Sequence, residues 1–185
     1  MHMLRFDEAK ATQVAAMVLS LRGGQMHYFK LIKLLYLIDR TALLRWGVPV
    51  TTDKYASMDD GPVVSNVYDL ISKNIPKPIW SQLISEPFGD KEIQLLADRP
   101  PKDRLSPAEE NLIQEIFSQY GHWNRWDLRD YVMHQLPEWK NPHGTSFPIR
   151  IGAILKAGGE DDEEIRATLR ELRLMAASED VFPST

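Results

Sequence analysis

In several stretches of the chain, apolar residues recur at intervals of three and four between glycine or proline stops, and this spacing predicts helices. The clearest runs from about Phe29 to Trp46, where Leu31, Leu34, Leu35, Ile38 and Ala42 share a side and Gly47 with Pro49 ends the run. It reads as the central core helix. Before it, Asp7 is placed to cap a helix with Ala11, Val14, Ala15 and Val18 on its apolar side, closed by Gly23-Gly24. Ser106-Pro107-Ala108-Glu109 combines an N-cap serine, a first-turn proline and a capping-box glutamate, and Leu112, Ile113, Ile116 and Phe117 follow before Gly121. Shorter helices are expected over Arg125 to Gln135 and Ile149 to Lys156. The last helix is expected at about 161–176, behind the acidic run Glu160 to Glu164, with Ile165, Leu169 and Leu172 as its one stripe and 178–185 as a frayed tail.

Between these helices the pattern changes. Val48 to Met58 is rich in Val, Thr and Tyr around Thr52-Asp53, which suits a short β-hairpin, and Gly61-Pro62 then reads as the start of a helix through Ser72, with Val64, Val67, Tyr68 and Ile71 inward. Ile79 to Ile84 and Ile93 to Ala97 flank a loop containing Pro87, Gly89 and Asp90, the pattern of a second hairpin. There is no internal repeat and no long linker. The expected fold is therefore mainly α: one compact helical domain over 1–185, of about six to seven helices, with one or two small β-hairpins.

Composition narrows the function classes. With 43% apolar and 26% charged residues the chain has the makeup of a globular protein, and its net charge of -4 lacks the basic field of a general nucleic-acid binder. No cysteine is available for a disulfide, a thiolate metal site or a thiol nucleophile. No apolar run approaches a membrane span, so a cytoplasmic protein without membrane contact is expected.

Residues in patterns that carry chemistry are few. The five histidines include no pair at i, i+4 spacing for zinc, and neither a phosphate loop nor a G-x-S-x-G elbow is present, so no cofactor, metal or catalytic residue is assigned. His134 near Glu138 reads as structural, and Asp59-Asp60 as a cap for the helix expected from Gly61-Pro62. Lys30, Lys33, Arg40 and Arg45 do not share one narrow helical face and read as a solvated surface. Trp46, Trp80, Trp123, Trp126 and Trp139 read mostly as core or loop-pinning residues, any exposed one being a candidate interface anchor.

Several segments taken in order carry more information. Lys30 to Leu37, Trp46 to Pro49, Tyr55 to Ser65, His134 to Trp139 and the Gly144-Thr145-Ser146 bend together resemble the Panacea (SocA-like) antitoxin domain family across about 28–156. That resemblance implies an antitoxin of a toxin-antitoxin system whose partner is a cognate toxin protein. Toxins paired with this domain have unrelated folds, so the resemblance does not name this one.

The leading reading is neutralisation by direct protein binding. The alternative is an adaptor that delivers its partner to a cellular protease, or a phage-encoded interaction protein, with the acidic C-terminal helix and tail as a second contact, and the third is a small enzyme using His134 with Asp59 or Asp60. Partner contact is expected on the Val50 to Gly61 segment, at Thr52, Lys54, Tyr55, Asp59 and Asp60, because loops on a rigid scaffold carry recognition. Tyr55 has two readings, an outward anchor or an inward prop for the hairpin.

Overall fold

The computed structural model describes residues 4–181, with side chains through 178. Its elements in chain order are α1 (Glu8–Leu21), β1 (Gln25–His27), α2 (Tyr28–Trp46), β2 (Tyr55–Met58), β3 (Gly61–Val64), α3 (Ser65–Ser72) and α4 (Trp80–Leu83). Next along the chain come β4 (Glu92–Gln94), α5 (Pro107–Tyr120), α6 (Arg125–Tyr131), a 3-10 turn (Met133–Gln135), β5 (Phe147–Ile149), α7 (Ile151–Ala157) and α8 (Asp162–Val181). Helices predominate, as the spacing predicts.

Thirteen of the nineteen residues of α2 are buried, so it lies inside a ring of elements instead of on one side of a layer. α1, α5, α6, α7 and β3 all pack against it. Leu31, Leu34, Leu35 and Ile38 are at most 1% exposed, and each such side chain contributes roughly 1.5–3 kcal/mol by leaving water. The ends follow local chemistry. Asp7 accepts from Lys10 N at the start of α1, Ser106 and Glu109 complete the capping box of α5, and Gly47 takes the left-handed conformation that closes α2.

Two small antiparallel sheets decorate this core, one pairing β1 with β4 and the other ordered β3-β2-β5. Here several sequence expectations are corrected. The first hairpin turns at Asp59-Asp60, with Met58 opposite Gly61 and Tyr55 opposite Val64, and not at Thr52-Asp53. Gly61 to Val64 is consequently a strand, and α3 begins only at Ser65. All four residues of β3 are buried, which favours a β-branched strand against α2, and Pro62 is tolerated because β3 is a sheet edge. Asp53 serves elsewhere: its carboxylate accepts from Asn66 N at 2.7 Å and Val67 N at 3.0 Å, capping α3 across the loop.

The second expected hairpin is also different. Trp80–Leu83 is a short helix, bringing the helices among the described residues to eight; Glu8 caps its start by accepting from Ile79 N and Trp80 N, while Trp80 is buried in the core. β4 pairs with β1, and only single bridges join Ile84 to Leu95 and Phe88 to Glu92. α6 stops at Tyr131 and gives way to the 3-10 turn, while Phe147–Ile149 is a strand before α7. α8 continues to Val181, past the expected end at 176; of the tail expected to fray, 182–185 lie outside the described residues.

Candidate functional site

The turn between β2 and β3 is held carbonyl by carbonyl from distant parts of the chain. Trp139 Nε1 donates to Met58 O at 2.9 Å, His134 Nε2 to Asp59 O at 2.9 Å, and Lys33 Nζ to both Gly61 O at 3.1 Å and Pro62 O at 3.0 Å. The imidazole of His134 stacks on Trp139 with centroids 4.2 Å apart, so the two donors brace each other. Because a carbonyl only accepts, the proton of His134 sits on Nε2. The carboxylates of the turn are also engaged: Asp59 Oδ1 accepts from Gly144 N at 3.0 Å, and Asp60 pairs with Arg129 at 3.1 Å.

One polar edge of α2 recruits this assembly. Lys33, Tyr36 and Arg40 follow each other at three- and four-residue steps; after Lys33 has taken the turn, Tyr36 OH donates to Glu138 at 2.9 Å and Arg40 Nε at 2.6 Å. Glu138 is buried, so this ion pair joins the Pro137 bend to the core helix. One step round, Asp39 Oδ1 accepts from Val50 N and Thr51 N, and its Oδ2 accepts from Thr51 Oγ1 and Tyr55 OH. Burial pushes the Asp39 carboxyl up, and its four hydrogen bonds oppose that push.

Gly61 is the tight point of the turn. Its φ is +100°, and a Cβ there would stand 2.8 Å from Met133 Cβ. Gly61→Ala is expected to cost about 3 kcal/mol, combining left-handed strain with a clash that no flexible tip relieves, and denaturant unfolding measures it. A loss below about 1 kcal/mol would show that the turn adapts.

Beside the turn a cleft of about 190 Å³ opens between α2, α6 and the Gly89–Lys91 corner. Lys30, Lys33 and Phe29 line it from α2, Arg125, Trp126 and Arg129 from α6, and Asp90 with Lys91 from the corner; Asp60 and His27 complete the rim. Lys30 and Lys33, expected on a solvated surface, are buried, which corrects that reading. A helical wheel cannot register that carbonyls of a distant turn receive the Lys33 ammonium and that Gly121 O receives Lys30. Burial draws Lys33 down to about 7, a shift the Asp60 carboxylate resists and the Arg129 guanidinium deepens, and burial draws Lys30 down to about 8.

At the mouth of the cleft Trp126 is 51% exposed, with Tyr131 at 70% on the same short helix and Trp123 just before it. The guanidinium carbons of Arg125 and Arg129 each lie 4.8 Å from the Trp126 ring centroid, which fixes the indole in place. The Asp60–Arg129 pair joins this aromatic patch to the turn.

The residues expected to bind a partner divide. Tyr55 faces inward at 4% exposure, edge-on to Tyr36 and bonded to Asp39, so it props the hairpin and offers no surface. Lys54 and Asp59 are exposed and Asp60 partly so. Thr52, at φ +52°, bonds backward, donating to Arg5 O and accepting from Asp7 N. His134 meets the backbone of Asp59, and the Asp59 and Asp60 carboxylates turn to other partners, so His134 forms no hydrogen bond with either carboxylate. No group of three or more His, Asp or Glu that could hold a metal ion occurs among the described residues. None of the described helices is long and apolar enough to cross a membrane.

A family model described as "Antitoxin SocA-like, Panacea domain" matches residues 31–140. That span runs from the core of α2 through the β2–β3 turn to Trp139, taking in Lys33, Tyr36, Asp39, Gly61, His134 and Glu138. Comparisons with curated proteins and with solved structures find no match.

Proposed function

The chain belongs to the SocA-like Panacea antitoxin family, and on that premise we propose that it neutralises a cognate toxin protein in the cytoplasm by direct stoichiometric binding, without catalysis. The observation that carries this reading is the union of the braced β2–β3 turn with the exposed α6 patch. The turn presents Asp59 and Asp60 on a backbone fixed at every carbonyl but one. The patch presents Trp126 and Tyr131 with two arginines already ordered around the indole. Tryptophan, tyrosine and arginine are the residue types that dominate binding energy at interface centres, and side chains held in place before association lose little entropy on docking. A standard interface of roughly 1,600 Å² covers the turn, the patch and the cleft mouth together. Duplex DNA binding by the isolated chain is not expected from its net charge of -4.

A second reading, delivery of the toxin to a cellular protease, draws on α8, which exposes Leu174 and Met175 at 65% and 45%. Rescue of growth from the toxin in a host lacking its cytoplasmic proteases separates the two. Sequestration predicts full rescue there. Rescue that disappears in that host while the toxin accumulates supports the adaptor.

A further inference from the structure

We propose that the cleft between Lys33, Lys91 and Arg125 binds a phosphoryl-type oxyanion, either inorganic phosphate or the terminal phosphate of an ester. Lys30, Lys33, Lys91, Arg125 and Arg129 line this cavity with only Asp60 and Asp90 among its lining carboxylates, in a chain whose net charge is -4; Arg129 is paired with Asp60 and, outside the cavity, with Asp130, so the excess positive charge rests on Lys30, Lys33, Lys91 and Arg125. Lys33 is 3% exposed and spends two of its three ammonium donors on Gly61 O and Pro62 O; the third has no acceptor among the described residues. Lys91 is a second sign. Its φ of +58° is a left-handed conformation suited to glycine, yet the position carries a lysine, whose ammonium is held 5.4 Å from the Phe29 centroid with no carboxylate partner among the described residues. Arg125 gives one N–H from each terminal nitrogen to a single oxygen of Asp90, whose side chain is 76% exposed, and the rest of its five donors have no acceptor among the described residues.

The arrangement favours phosphate over carboxylate. Donors arrive from α2, from α6 and from the corner before β4, a spread that the tetrahedrally arranged oxygens of a phosphate meet more readily than the lone pairs of a carboxylate, which all lie in one plane. A phosphate monoester offers three terminal oxygens and a charge of about -1.5 to -2. The cavity, at about 190 Å³, has room for a tetrahedral anion with several waters.

The test is calorimetric titration of the full toxin-free chain at low salt, so its outcome does not depend on the toxin reading. Inorganic phosphate and ribose 5-phosphate are the two source arms, and acetate is the carboxylate arm. The expected result is one saturable site that binds phosphate or the ester roughly tenfold more tightly than acetate; the tighter of the two phosphate arms identifies the source. Sulfate, dianionic throughout, should bind more weakly as pH rises from about 6 to about 9, because burial draws Lys33, which faces Asp60 and Arg129, to about 7 and Lys30 to about 8, and both ammonium groups lose protons in that window. Lys91→Gly should lower phosphate affinity roughly tenfold while raising the melting temperature by about 2 °C, since it removes a cation and relieves the left-handed strain together. Absence of saturable oxyanion binding, equal affinity for acetate, a flat sulfate profile with pH, or undiminished affinity in Lys91→Gly overturns the proposal.

Discussion

Asp39→Ala is expected to destabilise the protein by about 4 kcal/mol and to lower its melting temperature by about 12 °C, as read by denaturant and thermal unfolding. The carboxylate is wholly buried and is the shared acceptor for two backbone N–H groups and two hydroxyls, from Val50, Thr51 and Tyr55. Truncation leaves those donors in the core without a partner, where each costs about 1–3 kcal/mol, and some of this is recovered as the hydroxyls rotate and the loop relaxes. Asp39→Asn should cost much less, about 1 kcal/mol. Its oxygen keeps the two N–H donors, and its amide nitrogen meets two hydroxyls that accept as readily as they donate. Equal losses for the two variants would show that the charge, and not the acceptor geometry, holds the loop.

Trp126→Ala is expected to weaken toxin binding by about 2 kcal/mol, roughly 30-fold in Kd, while unfolding stability stays within about 0.5 kcal/mol of the parent. Half of the indole faces solvent, so the fold loses little on truncation, but the patch loses its largest rigid contact area and the platform that orders Arg125 and Arg129. Tyr55→Ala should behave in the opposite way. It empties a buried site and removes a donor to Asp39, so any loss of rescue should track the fall in melting temperature. Binding calorimetry alongside thermal unfolding of both variants reads this contrast.

How much of the fold is legible in the sequence depends on the range of the physics. Asp7, Ser106, Glu109 and Gly47 act on backbone groups within a few residues of themselves, so the ends of α1, α5 and α2 can be read locally. The register of the hairpin cannot, because it depends on partners far along the chain. Trp139, His134 and Lys33 select the Asp59-Asp60 turn by taking its carbonyls, and Thr52-Asp53, the better turn by composition, is drawn off to cap α3 and to tie down the N-terminal segment. Gly61-Pro62 shows the same competition, since a favourable helix start yields to burial of four successive residues against α2.

The candidate site is half visible in the sequence. Asp59 and Asp60 read as surface residues because a hairpin projecting from the core exposes them without cost to packing, and the structure keeps Asp59 exposed and Asp60 partly so. Tyr55 admits two readings, and the inward one holds because the buried Asp39 carboxylate needs its hydroxyl. Trp126 stands among five tryptophans with nothing local to single it out. Its exposure results from Leu128 taking the inner side of a helix too short to bury two faces. Residues scattered from Lys33 to Trp139 become one cluster only when folded, which explains why an ordered set of weak fragments is a better guide than any single motif.

Direct neutralisation is tested most directly by titrating the purified toxin with the purified chain, in the absence of any protease, and following the toxin's own activity. Complete inhibition is expected at a fixed molar ratio, reached together with a single complex in size-exclusion chromatography, and Trp126→Ala should shift that curve to higher concentration. Undiminished toxin activity at saturating chain, with the two proteins eluting separately, would contradict it.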